Sequence, residues 1–193
     1  MKRLLFGGAI LSAGIVSSAE SQTFDPVSVN GYAVAYAYGG PGADLSQLTG
    51  PGSVTSTQGG ASSTIFFNSL NMGSNLIGAS GASSSADTSF RFTVASETSA
   101  VLTWDLGTSA FAVFFILRDQ SSSTTLFDTT SGIDFTGSLE FILEPGTTYA
   151  FQQQVSLGGF QPSALSVTLA IPTPGVAGVA GIAGLLFVGR RRR

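Results

Sequence analysis

Apolar and polar residues alternate one by one over much of this 193-residue chain, and this period of two constrains its fold more than any other feature. In 90–94, Phe, Phe and Val alternate with Arg and Thr, and in 102–106, Leu, Trp and Leu alternate with Thr and Asp. The stretch 165–171 carries Leu, Val, Leu and Ile at every second position. Because successive side chains of a strand point to opposite faces, each stretch is predicted to be a strand with one buried face.

Two further segments extend the strand pattern. Residues 111–117 are apolar at every position, which predicts a central strand covered on both faces. After the alternating stretch 139–143, Glu-Pro-Gly-Thr at 144–147 has the signature of a type II turn, since proline presets φ and glycine accepts a positive φ. A hairpin is therefore predicted, with a return strand at 149–155.

Residues 20–88 contain more glycine, serine and alanine than the segment that follows. They are predicted to add strands with long loops to the sandwich whose core is 89–171. The body, 20–171, is therefore predicted to be all-β and to fold as one antiparallel β-sandwich. A chain of about 150 residues buries enough surface to fold without disulfides or metals, and this chain has no cysteine.

The C-terminal tail differs in character from the body. An apolar stretch of 14 residues, 176–189, would cover only about 21 Å as a helix, against roughly 30 Å for a bilayer core. Terminal arginines would hold its end at the cytoplasmic surface, so a short C-terminal transmembrane helix is predicted. In order, the tail contains Pro172, Thr173, Pro174 and Gly175, the apolar stretch, and then Arg190, Arg191, Arg192 and Arg193.

The N-terminus carries an independent export signal. Lys2 and Arg3 precede the apolar stretch 4–16, and small residues before Ala19 predict a signal peptide, 1–19, cleaved between Ala19 and Glu20. Positive charge at both ends of the chain predicts that both termini stay inside and that the body is exported.

These end signals together resemble the PEP-CTERM sorting signal, 172–193, which exosortases process in Gram-negative bacteria that make exopolysaccharide. The resemblance implies an exosortase-like membrane peptidase as partner, a transient inner-membrane intermediate, and a final location at the cell surface or outside the cell. Thr173 replaces the glutamate usual in that motif. The tail also resembles the Leu-Pro-x-Thr-Gly signal of sortases, but Pro174 occupies the position of the threonine that sortases attack, which favours the exosortase interpretation.

The segment 89–171 resembles bacterial pre-peptidase C-terminal domains and other jelly-roll sandwiches. The shared features are a Phe-x-Phe-x-Val strand, a Leu-x-Trp strand, a Phe-Ile-Leu strand ending at Arg118-Asp119, and a Leu-x-Pro-Gly-Thr-x-Tyr segment. The resemblance implies a jelly-roll-like surface domain without catalytic activity.

Charge and composition restrict the possible chemistry of the body. It contains eleven carboxylates but only Arg91 and Arg118 as cations, so it is predicted to repel nucleic acid and other anionic polymers. The chain has no histidine and no cysteine, which excludes Ser-His and Cys-His nucleophiles and zinc sites built from imidazole or thiolate. Glu140 and Glu144 could form a carboxylate pair, but surface carboxylates beside a turn are the stronger interpretation. No cofactor is predicted.

Two segments are candidate binding elements. Asp128 and Asp134 flank a loop rich in hydroxyl groups, which could ligate calcium but is more typical of an Asx turn in a hairpin. Tyr32, Tyr36 and Tyr38 alternate in a stripe that packs in the core if it is buried and stacks on sugars if it is exposed. The sequence thus predicts a non-enzymatic exported surface or extracellular-matrix protein, with a carbohydrate-binding module for exopolysaccharide as the alternative.

Overall fold

The computed structural model describes residues 22–40, 42–108, 110–129, 133–159 and 161–172. These residues form twelve strands and no helix. The strands are β1 (Phe24–Ala37), β2 (Ala43–Leu48), β3 (Gly52–Gln58), β4 (Ala61–Phe67), β5 (Asn71–Gly78), β6 (Ala82–Val94), β7 (Thr98–Asp105), β8 (Ala110–Asp119), β9 (Thr124–Asp128), β10 (Thr136–Leu143), β11 (Tyr149–Leu157) and β12 (Ser163–Ala170).

The strands form two antiparallel sheets of six strands each, which confirms the predicted all-β sandwich. Sheet A has the order β2-β1-β6-β11-β8-β9, and sheet B has the order β10-β7-β12-β5-β4-β3. Strands from the glycine-rich first half lie in both sheets, where β1 pairs with β6 and β5 pairs with β12.

The core lies between the sheets and contains most of the residues that the alternation predicted to face inward, but Leu139 of the alternating stretch 139–143 is 42% exposed on the edge strand β10. Aromatic rings meet across it: Phe67 of sheet B lies 5.5 Å from Phe90 of sheet A, edge to face, and Trp104 lies 5.8 Å from Phe115. Such burial of apolar area is the main force that holds two sheets together. The predicted inward residues that are buried are Phe90, Phe92, Val94, Leu102, Trp104, Leu106, Tyr149, Phe151, Val155, Leu165, Val167, Leu169 and Ile171.

The strands from β5 onward pair as a nested series. Strand β8 pairs with β9, β7 with β10, β6 with β11, and β5 with β12, all antiparallel. The outermost of these pairs joins segments that are far apart in the chain, for example Asn71 with Ala170.

The turn at 144–147 forms as predicted, but the predicted hairpin is wrong. Thr147 N donates to the Glu144 carbonyl at 3.4 Å, and Gly146 has a φ of +75°, as a type II turn requires. However, β10 belongs to sheet B and β11 to sheet A, so the turn carries the chain across the core. Strand β11 gains more pairing this way, because it is bonded on both sides, by β6 and β8.

Strand β8 is not the central strand that its apolar sequence predicted. It lies next to the edge strand β9, and Phe111 on its outer side is 71% exposed. The register with β11 shifts between Ala110 and Ala112, so Phe111 is the extra residue of a bulge, a feature that redirects side chains. The outer side of β8 is thus covered unevenly, since Phe111 is exposed whereas Ile116 is only 2% exposed.

Both ends of the described chain emerge at the same end of the sandwich. Phe24 N donates to Ser69 O at 2.8 Å, and Ile171 N donates to Leu70 O at 2.8 Å, so both ends are bonded to the β4–β5 turn. Pro172, the next residue, is exposed. In the described part of the chain, no helix is both long and apolar enough to cross a bilayer. The predicted signal peptide, 1–19, and the predicted membrane helix, 176–189, lie outside it.

Candidate functional site

The tyrosine stripe of β1 faces solvent rather than the core. Tyr32, Tyr36 and Tyr38 are 38%, 39% and 53% exposed, whereas Ala33 and Ala35 between them are fully buried. The interpretation of the stripe as core packing is therefore wrong. Strand β1 turns its alanines toward the core, and the larger rings occupy the outer side. Tyr36 and Tyr38 pack edge to face, with ring centroids 5.6 Å apart, which orders both rings.

Cross-strand register extends this surface over sheet A. Tyr32 is opposite Asp87 of β6, Asp87 is opposite Gln154 of β11, and Gln154 is opposite Phe114 of β8. We call the resulting surface outer face A. Its described members are Asn30, Tyr32, Val34 and Tyr36 of β1; Ser83, Ser85, Asp87, Ser89 and Arg91 of β6; Ala150, Gln152, Gln154 and Ser156 of β11; and Phe111, Phe114, Ile116 and Arg118 of β8.

We call the strip of outer face A between β1 and β8 the groove, and two depressions lie in it. Small polar side chains of β6 and β11 form its floor, while rings of β1 and β8 stand on either side. The walls are three strand spacings apart, about 14 Å. One depression of about 100 Å³ is lined by Val34, Tyr36, Ser83, Ser84, Ser85, Phe111 and Ser156. A second, of about 180 Å³, is lined by Asp87, Thr88, Ser89, Phe114, Gln152, Gln153 and Gln154.

Hydrogen bonds between neighbouring strands orient several polar groups of this surface. Gln47 Nε2, on the adjoining strand β2, donates to Tyr32 OH at 3.1 Å and to Asn30 Oδ1 at 3.4 Å. Gln152 Nε2 donates to Ser89 Oγ at 3.4 Å. Each amide keeps further donor or acceptor capacity after these bonds. Rings with oriented amides beside them can bind a ligand that has both C–H and hydroxyl surfaces.

The two carboxylates considered for acid–base chemistry lie elsewhere, on the edge strand of sheet B and in the turn after it. Glu140 and Glu144 are both exposed, and four residues of extended chain separate their Cα atoms by about 13 Å. Glu140 Oε1 accepts a hydrogen bond from Ser99 Oγ at 2.7 Å, and the backbone N–H of Glu144 donates to Tyr149 OH at 2.7 Å. These contacts tie both residues to neighbouring strands and do not join them to outer face A.

The proposed calcium loop is only partly within the described chain, because 130–132 lie outside it. Asp128 ends β9, and Asp134 contributes its backbone carbonyl, which accepts a hydrogen bond from Trp104 Nε1 at 3.0 Å. The described residues contain no group of three or more His, Cys, Asp or Glu side chains placed to hold a metal ion. The described geometry thus assigns Asp134 a structural contact.

Of the predicted sorting and cleavage residues, only Pro172 lies in the described chain, exposed directly after Ile171. The others lie outside the described residues: Ala19, Glu20, Thr173, Pro174, Gly175, Arg190, Arg191, Arg192 and Arg193.

Sequence reasoning missed the side of the groove opposite the tyrosines. Phe111 and Phe114 belong to the apolar run that predicted a strand buried on both faces. No binding role was predicted for the run Gln152-Gln153-Gln154. That run offered a usable signal, because two amides two positions apart in a strand share one face. The bulge that exposes Phe111 has no such signal.

The chain matches no known protein-family model and no curated protein at significant similarity. Inferences about its function therefore rest on its own residues.

Proposed function

We propose that this chain is an exported, non-enzymatic β-sandwich protein that binds polysaccharide through outer face A. The observation that supports this is the exposure of Tyr32 and Tyr36 in register with polar side chains of three neighbouring strands. Sugar rings present flat C–H faces edged by hydroxyls, so they match exposed aromatic rings flanked by amides and carboxylates. Exposed tyrosines favour the carbohydrate-binding alternative over a surface protein that binds no glycan.

The route to the surface is proposed from the two end signals. After export and removal of 1–19, an exosortase-like membrane peptidase processes the tail at 172–175. Proline keeps that segment out of both sheet and helix, and Pro172 is exposed directly after the last core residue. Exit of both chain ends beside the β4–β5 turn leaves outer face A accessible while the tail is still in the membrane.

The nested strand pairs support a jelly-roll-like form for this domain. Pairs β5·β12, β6·β11, β7·β10 and β8·β9 alternate between the two sheets, as in a rolled double ribbon. In this topology each sheet has one face on the core and one face in solvent, and the solvent face of sheet A carries the groove.

Binding is tested with the full chain in detergent micelles against a panel of soluble polysaccharides. The variant Tyr32→Ala/Tyr36→Ala should bind at least about tenfold more weakly than wild type, since each lost ring removes stacking area. The matched control is Thr55→Ala/Thr64→Ala, which removes an exposed 2.9 Å side-chain hydrogen bond on the outer side of sheet B. If no polysaccharide binds, or if the tyrosine variant binds as wild type does, the proposed function is wrong.

Sorting is tested in the native host by the mass and N-terminal sequence of surface-released protein. Wild type should begin at Glu20 and lack the tail, whereas Pro172→Ala/Pro174→Ala and a deletion of 190–193 should remain unprocessed. Release of all three proteins with the tail attached would make the tail a passive anchor and refute the sorting proposal.

A further inference from the structure

The two arginines of the body lie side by side on outer face A. Arg91 of β6 is opposite Ala150 of β11, and Ala150 is opposite Arg118 of β8, so both guanidinium side chains stand in one cross-strand row. Their Cα atoms are two strand spacings apart, about 10 Å. Residues 20–171 contain eleven carboxylates and no other cation, yet both positive charges are on this one face.

Neither arginine is used by the fold as an ion-pair partner. Both are exposed, and neither makes a hydrogen bond or an ion pair within the described residues. Ala150 between them is only 2% exposed although it points outward, as expected if the arginine stems lie over it and leave their charged ends in water. Two like charges held together without a carboxylate partner favour an anionic ligand.

The arginines lie at one end of the groove. Arg91 follows Asp87 and Ser89 along the floor strand β6, and Arg118 follows Phe114 along the wall strand β8. A ligand that lies along the strands over the rings and amides therefore reaches both guanidinium groups. Side chains of a sheet stand roughly perpendicular to it, so these groups project from the face and not from the end of the sandwich.

The end of the sandwich nearest the arginines is acidic. Exposed Asp25 and Glu97 lie there beside the start of β1 and the end of β6, and Glu144 precedes the start of β11. Asp25 faces the same side of sheet A as Arg91, because it is opposite Thr93 of β6, whereas Glu97 and Glu144 lie between strands.

We propose that outer face A recognises an acidic polysaccharide, and that Arg91 and Arg118 bind the carboxylate groups of its sugars. Guanidinium groups donate two parallel hydrogen bonds to a carboxylate, which supplies geometric selectivity in addition to charge. This inference rests on the proposed function, in which Tyr32, Tyr36 and their neighbours bind the sugar rings.

The test compares one glycan with and without its charge. The full chain in detergent micelles is titrated with an oligogalacturonate and with the same oligomer after reduction of its carboxyl groups to alcohols. Wild type should bind the charged oligomer at least tenfold more tightly, and the ratio should fall as salt is raised from low to near-molar concentration.

Two variants identify the residues responsible. Arg91→Gln/Arg118→Gln should bind both oligomers with the affinity that wild type has for the reduced one, and Arg91→Lys/Arg118→Lys should keep only part of the preference. Asp87→Asn, on the same face, is the matched control and should strengthen binding of the charged oligomer. Thermal midpoints of all variants should stay within a few degrees of wild type, because these side chains are exposed.

The outcomes separate this inference from the proposed function. Equal binding of both oligomers by wild type overturns the role of the arginines and leaves polysaccharide binding intact. No binding of either oligomer by wild type overturns this inference, and the polysaccharide panel then decides the proposed function by itself. Arginine-dependent binding of polyphosphate, or of vesicles of anionic phospholipid, as tight as that of oligogalacturonate would show a general polyanion or membrane site and overturn the glycan assignment.

Discussion

The outer faces of the two sheets differ in chemistry, although both cover the same core with six strands each. Outer face A carries tyrosine, phenylalanine, glutamine and both arginines of the body. The corresponding side of sheet B, which we call outer face B, is dominated by short hydroxyl and amide side chains, and among the described residues it has no tyrosine and no arginine. Its polar members are Ser53, Thr55, Thr57, Ser62, Thr64, Asn71, Asn75, Ser99, Thr103, Asp105, Thr136, Ser138, Glu140, Ser166 and Thr168.

The comparison shows which side chains suit the solvent side of a sheet for stability alone. Threonine and serine suit the solvent side of a strand, because a β-branched side chain favours extended backbone and hydroxyls pair across strands, as Thr55 and Thr64 do. Outer face B consists largely of such side chains. Outer face A differs by its exposed Tyr36 and Phe111 and by Arg91 and Arg118, and these are the side chains on which the proposed binding role rests.

The largest effect should come from the core beneath outer face A. Phe90, between Ser89 and Arg91 on β6, is fully buried, and Phe90→Ala should lower the free energy of unfolding by about 3–5 kcal/mol. Phe66→Ala, at a half-buried ring on outer face B, is the matched substitution and should cost far less. Urea unfolding monitored by circular dichroism measures both. Equal losses of unfolding free energy would show that the Phe66 ring contributes as much to stability as the Phe90 ring, contrary to this prediction.

A smaller effect is expected at the polar bridge between the sheets. Ser74 Oγ of β5 donates to Gln153 Oε1 of β11 at 2.6 Å, and both residues are buried. Gln153 Nε2 has no hydrogen-bond partner, so Ser74→Ala would leave both ends of the amide unsatisfied and should cost about 1–3 kcal/mol.

Ser166→Ala is the control for this bridge, because Ser166 lies on outer face B of the adjoining strand β12. It should change the free energy of unfolding by less than about 0.5 kcal/mol. Polysaccharide binding should survive both serine substitutions, since neither residue belongs to outer face A. A binding loss in Ser74→Ala at a temperature where it stays folded would instead link the bridge to the groove.

The smallest effect concerns Asp119, which follows Arg118 at the end of β8. Hydrogen bonds from the Ser122 hydroxyl at 2.7 Å and from the backbone N–H groups of Ser122 and Ser121 lower the pKa of this carboxyl below 3.8. Because the folded-state pKa lies below that of the unfolded chain, the contribution to stability is present above about pH 4 and is lost as pH falls through the folded-state value.

Asp119→Asn should therefore reduce stability slightly at neutral pH, and the difference from wild type should shrink as pH falls below about 4. Urea unfolding of the variant and of wild type at neutral and at low pH measures this difference, and a gap that does not shrink at low pH would contradict it. Binding of a neutral oligosaccharide should stay the same in the variant, because Asp119 caps the β8–β9 turn and does not line the groove.

In the clearly alternating stretches, local sequence determined the strands and the residues that face the core. The alternation in 90–94, 102–106 and 165–171 predicted buried positions correctly, because side-chain direction in a strand follows from backbone geometry within a few residues. The turn at 144–147 was equally local, since proline and glycine fix its φ angles.

Tertiary structure alone decided which strands became neighbours and which outer side carries the groove. Nothing near Tyr32 shows whether it or Ala33 faces the core, and nothing near Arg91 shows that Arg118 will stand two strands away. The first depends on how β1 pairs with β6 over the core, and the second on the pairing of β11 with β6 and β8 on its two sides. Strand partners are selected by the total burial and hydrogen bonding of the whole sandwich, a sum that no single segment contains.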